Sequence, residues 1–198
     1  MSGLDNAEAR SRLLTFKSDF RHFWSTMEKM VSSYYMSPLA TVAAIGGTCP
    51  ALGAVLSLSS DYRVMVDAEK SRFGLNETAL GMVPPRWLMG ICAQTIGTRN
   101  AELHLQQSTM FAPRAALEIG YLDEVCEAEA LLERAVAAAT RACKLPAAAR
   151  AKCKQDQRRA IAEACDEASV ARMAECVHAD EFQDTLRGMM EAMKKRKK

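Results

Sequence analysis

The sequence predicts an α/β domain that continues into a helical C-terminal arm. Between Pro38 and Val125, short apolar runs alternate with helical segments, which is typical of domains whose helices pack on the faces of a sheet. From Trp87 onward the spacing of apolar residues is mostly helical. About half of the 198 residues are apolar, which is enough for one domain with a hydrophobic core.

The first predicted element is a helix over residues 10–36. The segment Pro38–Gly47 is a short run of small and β-branched residues closed by two glycines, which predicts a buried strand. A Gly/Pro turn then leads into an apolar segment that predicts a helix beginning near Ala51. The first helix is predicted because its apolar residues recur at steps of three and four: Leu13, Leu14, Phe16, Phe20, Phe23, Trp24, Met27, Met30 and Val31.

The next segment, Tyr62–Leu75, returns to the composition of strands. The polar turn Asp67–Ser71 divides it into two pieces. Helices follow from Trp87 and over residues 97–107.

A helix followed by a short strand is predicted from Phe111 onward. Pro113 suits the first turn of a helix, and Gly120 suits its end. The strand is then Tyr121–Val125.

The remainder reads as helix throughout. An Ala-rich helix over 128–143 is broken at Pro146, and two further helices are expected, one over 147–176 and one from Asp180 to the C-terminus. No low-complexity linker divides the chain. We therefore assign residues 1–125 to the core and residues 126–198 to a C-terminal helical region.

Charge and cysteine content narrow the classes of function. The formal charge of +2 is too small to indicate a polyanionic partner, and no apolar run is long enough to span a bilayer. The three histidines are scattered, and the seven cysteines form no CxxC pair. We expect free thiols in a reducing compartment, no metal site, no membrane span and no nucleic-acid partner.

Two glycine-containing turns could place backbone N–H groups at one point. One is Ser2-Gly3-Leu4-Asp5, and the other runs from Cys49 to Ala54. Each precedes a predicted helix, whose first N–H groups have no partner inside the helix. Two such donors would form an oxyanion hole. Such turns are common, so this feature alone indicates no function.

Glu77 is the candidate acid–base residue. Its neighbours in the sequence GLNETALGM include Leu75, Leu80 and Met82, so an apolar site could raise its pKa into a useful range. A lone acid in a loop is more often exposed, so from these residues alone both interpretations stay open.

The stretch PLATVAAIGGTCPALGAVLSLSSDYRVMVDAEKSRFGLNETALGMVPPRWL, residues 38–88, resembles the crotonase superfamily. Within that superfamily it is most similar to the mitochondrial enoyl-CoA delta isomerases. The resemblance rests on Gly46-Gly47, the Cys-Pro-Ala turn, SSDYRVMVD, GLNET with the following LG, and PRWL. It implies a crotonase-like ββα spiral fold, here with its first strands missing.

The resemblance also implies residue roles and a substrate. Members bind a fatty acyl-CoA and stabilise its enolate with two backbone N–H groups, which correspond here to Leu4 and Leu52. Glu77 corresponds to the glutamate that moves the proton. CoA is part of the substrate, so no separate cofactor is expected. Substrate-binding residues are implied at Ser2, Gly3, Asp5, Ala51, Gly53 and Asn76.

Hydratases of this superfamily carry a second glutamate, at the position of Val55. We therefore expect isomerisation of 3-enoyl-CoA to 2-trans-enoyl-CoA, as in the β-oxidation of unsaturated fatty acids, with hydration as an alternative.

The sequence departs from the family in two places. Leu52 stands where glycine is usual, and leucine resists positive φ. The chain also begins at the first oxyanion turn, where members have further strands upstream, so we expect an open sheet edge and a fragment or shortened relative. A non-catalytic subunit of the same fold is a second alternative.

Assembly and location are implied by the resemblance alone. It implies a homotrimer in the mitochondrial matrix, with peroxisome or cytoplasm as alternatives. The basic tail, Lys194–Lys198, is expected to be a solvated helix end. The alternatives are that it binds RNA or lies near the phosphates of CoA.

Overall fold

Strand pairing creates two small sheets in the first two thirds of the chain. The structure is a computed structural model. It describes the backbone of residues 3–196 and the side chains of residues 19–189, 191, 192 and 195. The strands in this part are β1 (Val42–Ile45), β2 (Cys49–Pro50), β3 (Tyr62–Val66), β4 (Phe73–Gly74), β5 (Met110–Phe111) and β6 (Glu124–Cys126).

The larger sheet has the order β1-β3-β6 and is parallel throughout. Its central strand is buried from Arg63 to Val66, as expected for a parallel strand covered on both faces. In the smaller sheet, β2 pairs with β4 in parallel and β4 pairs with β5 in antiparallel orientation. Among the described residues β1 pairs only with β3, so the expected open edge is present there.

Helices surround these sheets. The helices in the described part are α1 (Gly3–Tyr35), α2 (Ala51–Leu58), α3 (Arg86–Ile96), α4 (Thr98–Gln106), α5 (Pro113–Glu118), α6 (Leu131–Cys143), α7 (Ala147–Ala162), α8 (Glu167–His178) and α9 (Asp180–Arg196). This part of the chain also has two 3₁₀ segments: Thr78–Leu80, between β4 and α3, and Ala128–Ala130, between β6 and α6. Within residues 3–196, no helix is both long and apolar enough to cross a membrane.

The hydrophobic core lies between the sheets and the helices α1, α2 and α3. It is built mainly from large apolar side chains with almost no exposure, such as Trp87, Phe73, Leu58 and Met65. The cysteines are free thiols. The α/β class and the crotonase-like architecture predicted from the sequence are confirmed.

Most predicted elements are present, several with shifted bounds. Helix α2 begins at Ala51 as predicted, Pro113 is the first residue of α5, and Gly120 follows that helix with φ +93°. The strand predicted over Pro38–Gly47 shortens to β1, and the one over Tyr121–Val125 shifts to β6. The two-residue strands β2 and β5 were not predicted, because two residues carry no periodicity.

Two predictions about helices were wrong. The helix predicted over residues 147–176 is two helices, because Asp166 caps α8: its side chain accepts a hydrogen bond from the Ser169 N–H at 2.7 Å. The turn predicted at Ser2–Asp5 is also wrong from Gly3 on, since α1 already begins there. Leucine, alanine, glutamate and arginine between Gly3 and Arg10 favour helix, which explains the earlier start. The division at residue 125 stays a prediction.

Candidate active site

Glu77 lies beside an apolar cavity of about 210 Å³. The cavity is bounded by α1, α2, α3, α8 and the segment that contains Glu77. Among the described lining residues, Glu77 carries the one carboxylate, and every other side chain is apolar or aromatic. The lining residues are Phe23, Trp24, Met27, Ala51, Leu52, Val55, Glu77, Leu80, Met82, Pro85, Trp87, Leu88 and Met173.

The backbone around Glu77 is held firmly. Glu77 comes immediately before the 3₁₀ segment Thr78–Leu80, and its carbonyl accepts hydrogen bonds from the N–H groups of Leu80 at 2.9 Å and Met82 at 3.0 Å. The Thr78 hydroxyl donates to the Leu105 carbonyl at 2.8 Å, which ties the segment to α4. The carboxylate is therefore presented by a fixed turn.

The carboxylate itself is buried and incompletely bonded. Glu77 is 8% exposed, and its Oε2 atom is buried with no hydrogen-bond partner among the described residues. Burial raises the pKa of Glu77 above its ordinary value, and its own backbone N–H opposes this in part. A buried oxygen without a partner and a raised pKa suit a group that takes up and releases a proton. Of the two interpretations of Glu77, the structure favours the buried one.

The start of α2 supplies the second predicted donor. Pro50 occupies the N-cap position and makes no side-chain cap, so the first N–H groups of α2, including that of Leu52, lack a partner within the helix. Leu52 lines the cavity and is 43% exposed. Leu52, which stands where the family usually has glycine, does not have a positive φ; the positive φ lies at the preceding residue, Ala51, at +47°.

The other predicted binding residues lie in different surroundings. Gly53 does not line the cavity; a Cβ there would lie 3.1 Å from the Cys49 sulfur, so its small size serves packing. Asn76 does not line the cavity either, but its Oδ1 is buried without a partner among the described residues. Both substrate-binding roles stay predictions.

In place of the first predicted turn, the described backbone from Gly3 on is helix. Ser2 lies outside the described residues. Gly3, Leu4 and Asp5 lie in the first turn of α1, and their side chains are outside the described part. An N–H group in a first helical turn has no partner within the helix, which is compatible with the donor role predicted for Leu4.

Sequence reasoning missed much of the cavity lining. Helical spacing marked Phe23, Trp24 and Met27 as one apolar face of α1, without showing that this face meets Glu77. Met173 of α8 was not singled out at all. Its position after Asp166 and Ser169, a helix-start signal, could have placed it on the buried side of a separate helix.

Val55 is the residue that the family resemblance places at the position of the second glutamate of the hydratases. It is 4% exposed and lines the cavity. The cavity is thus lined by the carboxylate of Glu77 and by the apolar side chain of Val55.

The whole chain matches a known protein family. A family model described as enoyl-CoA hydratase/isomerase matches residues 1–198. The chain belongs to the enoyl-CoA hydratase/isomerase family. This chain therefore has one carboxylate at an apolar cavity, and it belongs to a family that is named for reactions of enoyl-CoA.

Two relatives of this family member are mitochondrial enoyl-CoA delta isomerase 1 of Mus musculus and of Homo sapiens. Each is 33% identical over 199 residues, which cover 99% of the chain. The chain spans 68% of the length of the mouse protein and 65% of that of the human protein. This likeness marks the chain as an enzyme and favours an isomerase.

Solved structures agree with the fold. The crystal structure of human mitochondrial delta3-delta2-enoyl-CoA isomerase matches with a TM-score of 0.88 and 32% identity, covering 92% of this chain and 72% of that one. An enoyl-CoA hydratase/isomerase family protein from Pseudomonas syringae matches with a TM-score of 0.70 and 25% identity, covering 78% and 66%.

Proposed function

We propose that the protein isomerises 3-enoyl-CoA, cis or trans, to 2-trans-enoyl-CoA, with Glu77 as the single proton shuttle. The observation that carries the proposal is the buried, unpartnered Oε2 of Glu77 at an apolar cavity. The likeness to enoyl-CoA delta isomerases supports the same reaction.

The reaction needs one carboxylate. Glu77 removes a proton from C2 of the 3-enoyl thioester, and the electron pair of that C–H bond passes into the thioester carbonyl to give an enolate. The enolate electrons then return to form the double bond between C2 and C3, the C3=C4 π bond breaks, and its electron pair takes the proton from Glu77 to form the new C–H bond at C4. Nothing else is consumed, so a single acid–base group in a dry site suffices.

The enolate oxygen requires hydrogen-bond donors. We assign this role to the backbone N–H groups of Leu52 and Leu4, each worth about 3 kcal/mol if well aimed at the developing charge. Leu52 is supported by its place at the cavity and in the uncapped first turn of α2.

Hydration is the less favoured reaction at this site. A hydratase needs a second polar group to hold water, and the cavity has Val55 at that position. The nearby carboxylate of Glu28 is buried, and its Oε1 already accepts three hydrogen bonds.

The partners follow from the same family likeness. We propose a fatty acyl-CoA as the substrate, a homotrimer as the assembly and the mitochondrial matrix as the location. The names of the mitochondrial relatives support the location.

Replacing Glu77 by glutamine tests the proposed function. The variant keeps the size of the side chain and removes the base, so we expect kcat to fall roughly 10²- to 10⁴-fold. The measurement is the absorbance change as 3-enoyl-CoA becomes 2-trans-enoyl-CoA.

Glu118→Gln is the matched control, because Glu118 is exposed at the end of α5 and does not line the cavity. We expect it to retain full activity. Equal activity of the Glu77→Gln variant and wild type, or faster hydration of 2-enoyl-CoA than isomerisation, would contradict the proposal.

A further inference from the structure

A second carboxylate, Glu28, lies directly behind the cavity. It is 2% exposed, and no ion pair to it is found among the described side chains. Instead its Oε1 atom accepts three hydrogen bonds: from Trp24 Nε1 at 2.7 Å, from Trp87 Nε1 at 2.8 Å and from the Ser169 hydroxyl at 2.7 Å. Three hydrogen bonds to one buried oxygen hold these side chains in a fixed arrangement.

The three donors come from three different helices. Trp24 lies on α1 with Glu28 itself, Trp87 lies on α3, and Ser169 lies on α8. One oxygen atom therefore joins segments that are 59 and 141 residues away in the chain. A buried acceptor with this many donors fixes the side chains that bond to it, because each donor would otherwise be left unsatisfied.

Both tryptophans bonded to Glu28 line the cavity next to Glu77. Trp87 is 2% exposed, as is Leu88 beside it, whereas Leu52 is 43% exposed. Trp87 therefore lies on the buried side of the cavity and Leu52 on its exposed side, while Trp24 is partly exposed.

The volume of the cavity bears on the size of the ligand that fits inside it. An apolar cavity of roughly 150 Å³ holds a benzene molecule, and this one measures about 210 Å³. At this volume the cavity has room for a short acyl chain, and Trp24 and Trp87 form part of its lining.

We propose that Glu28 is a positioning residue that holds Trp24 and Trp87 in place and thereby restricts the substrate to short acyl chains. This inference rests on the proposed function, since it assigns the cavity to the acyl group. Glu28 does not touch the reacting atoms; it acts through the two tryptophans.

The composition of the chain offers a direct spectroscopic test. Trp24 and Trp87 are the two tryptophans of the sequence, so intrinsic tryptophan fluorescence reports only on this site. Titration with the unreactive saturated thioesters hexanoyl-CoA and hexadecanoyl-CoA measures binding without requiring catalysis. We expect hexanoyl-CoA to change the emission of the wild-type protein and to bind more tightly than hexadecanoyl-CoA.

Two substitutions at Glu28 separate positioning from simple folding. Glu28→Leu removes the acceptor and frees the tryptophans, so we expect the ratio of kcat/KM for 3-hexadecenoyl-CoA to that for 3-hexenoyl-CoA to rise about tenfold. The ratio should change mainly through the KM values of the two substrates. Glu28→Gln retains an oxygen that accepts hydrogen bonds and should restore the wild-type ratio. Glu118→Leu is the control, because it makes the same replacement of glutamate by leucine at an exposed position.

The outcomes divide as follows. If the folded Glu28→Leu variant keeps the wild-type chain-length ratio, or if hexanoyl-CoA leaves the tryptophan emission unchanged, the inference is wrong. If Glu28→Leu does not fold, Ser169→Ala removes one donor more mildly, and an unchanged chain-length ratio there also contradicts it. If no variant isomerises but the saturated thioesters still show the shift in binding, the proposed function fails and the role of Glu28 stands.

Discussion

Glu77 is a titratable side chain at a buried position, where its charged form is disfavoured. The carboxylate is 8% exposed and one oxygen has no partner among the described residues, so its charged form is poorly solvated. The cost falls at the residue that we propose as the base. Such a compromise is typical of functional sites, where activity is gained at the expense of stability.

The raised pKa of Glu77 predicts the pH dependence of activity. The ionised form is the base, and burial moves its pKa above the ordinary value of 4.5. We therefore expect kcat/KM to increase with pH through a midpoint above 4.5 and to level off beyond it. The measurement is a pH profile of kcat/KM with 3-hexenoyl-CoA; a midpoint at or below 4.5 would argue against a buried base.

The same shift predicts a pH-dependent effect on stability. Below pH 4.5 the group is protonated in both folded and unfolded chains and contributes no penalty. As the pH rises, the unfolded chain releases its proton first, so the folded state is progressively disfavoured until the pH passes the raised pKa of the folded protein. Glu77→Gln should therefore gain stability over wild type with rising pH, as measured by urea unfolding. A difference that is constant with pH would show that Glu77 titrates normally.

At the scale of elements, the start of α2 contains backbone strain. Ala51 has φ +47°, a conformation that glycine adopts readily and other residues resist. Since this residue comes immediately before Leu52, the strain is stored where the proposed oxyanion donor is presented.

Ala51→Gly should stabilise the protein by about 1 kcal/mol, because it removes the strain of a left-handed alanine. Ala137→Gly, in the exposed interior of α6, should have the opposite sign and cost about 1 kcal/mol, because glycine weakens a regular helix. Urea unfolding of both variants measures the contrast. Destabilisation by both would mean that the backbone at residue 51 relaxes to negative φ.

Elements also show where sequence patterns are reliable. The predicted start of α2 and the position of Pro113 were confirmed because a cap or proline acts within a few residues. The break between α7 and α8 was missed although its signal, Asp166 three residues before Ser169, is equally local. It was hidden in a long run of residues with good helix propensity.

At the scale of the molecule, one ionic cluster joins the C-terminal helices to the sheet. Asp61, which precedes β3, pairs with Lys154 at 2.8 Å and Arg158 at 3.1 Å, both on α7. The side chain of Lys154 is only 7% exposed, and burial lowers its pKa while Asp61 opposes that shift. The charge on Asp61 therefore compensates buried cations from another part of the chain.

Asp61→Asn should cost about 2 kcal/mol, at the low end for a broken buried pair because Asp61 itself is partly exposed. Asp156→Asn is the matched control: Asp156 pairs with Lys152 and Arg159 on the surface of the same helix. We expect no measurable change there, since surface pairs contribute little. Thermal unfolding of both variants provides the measurement, and equal losses would contradict the role given to Asp61.

The sequence by itself determined most of the elements and their order, the α/β class, the family resemblance and the candidate base Glu77; it missed β2, β5 and the break between α7 and α8. Each feature that it determined depends on local signals: periodicity, turn residues, or a short motif. The tertiary structure decided which surfaces meet. Helical spacing placed Trp24 and Met27 on one apolar face of α1, but only the fold shows that they share a cavity with Glu77 and Met173. Glu28 had no sequence signal, because its role depends on donors up to 141 residues away. Periodicity reports which face of a helix is buried; it contains no information about the partner that buries it.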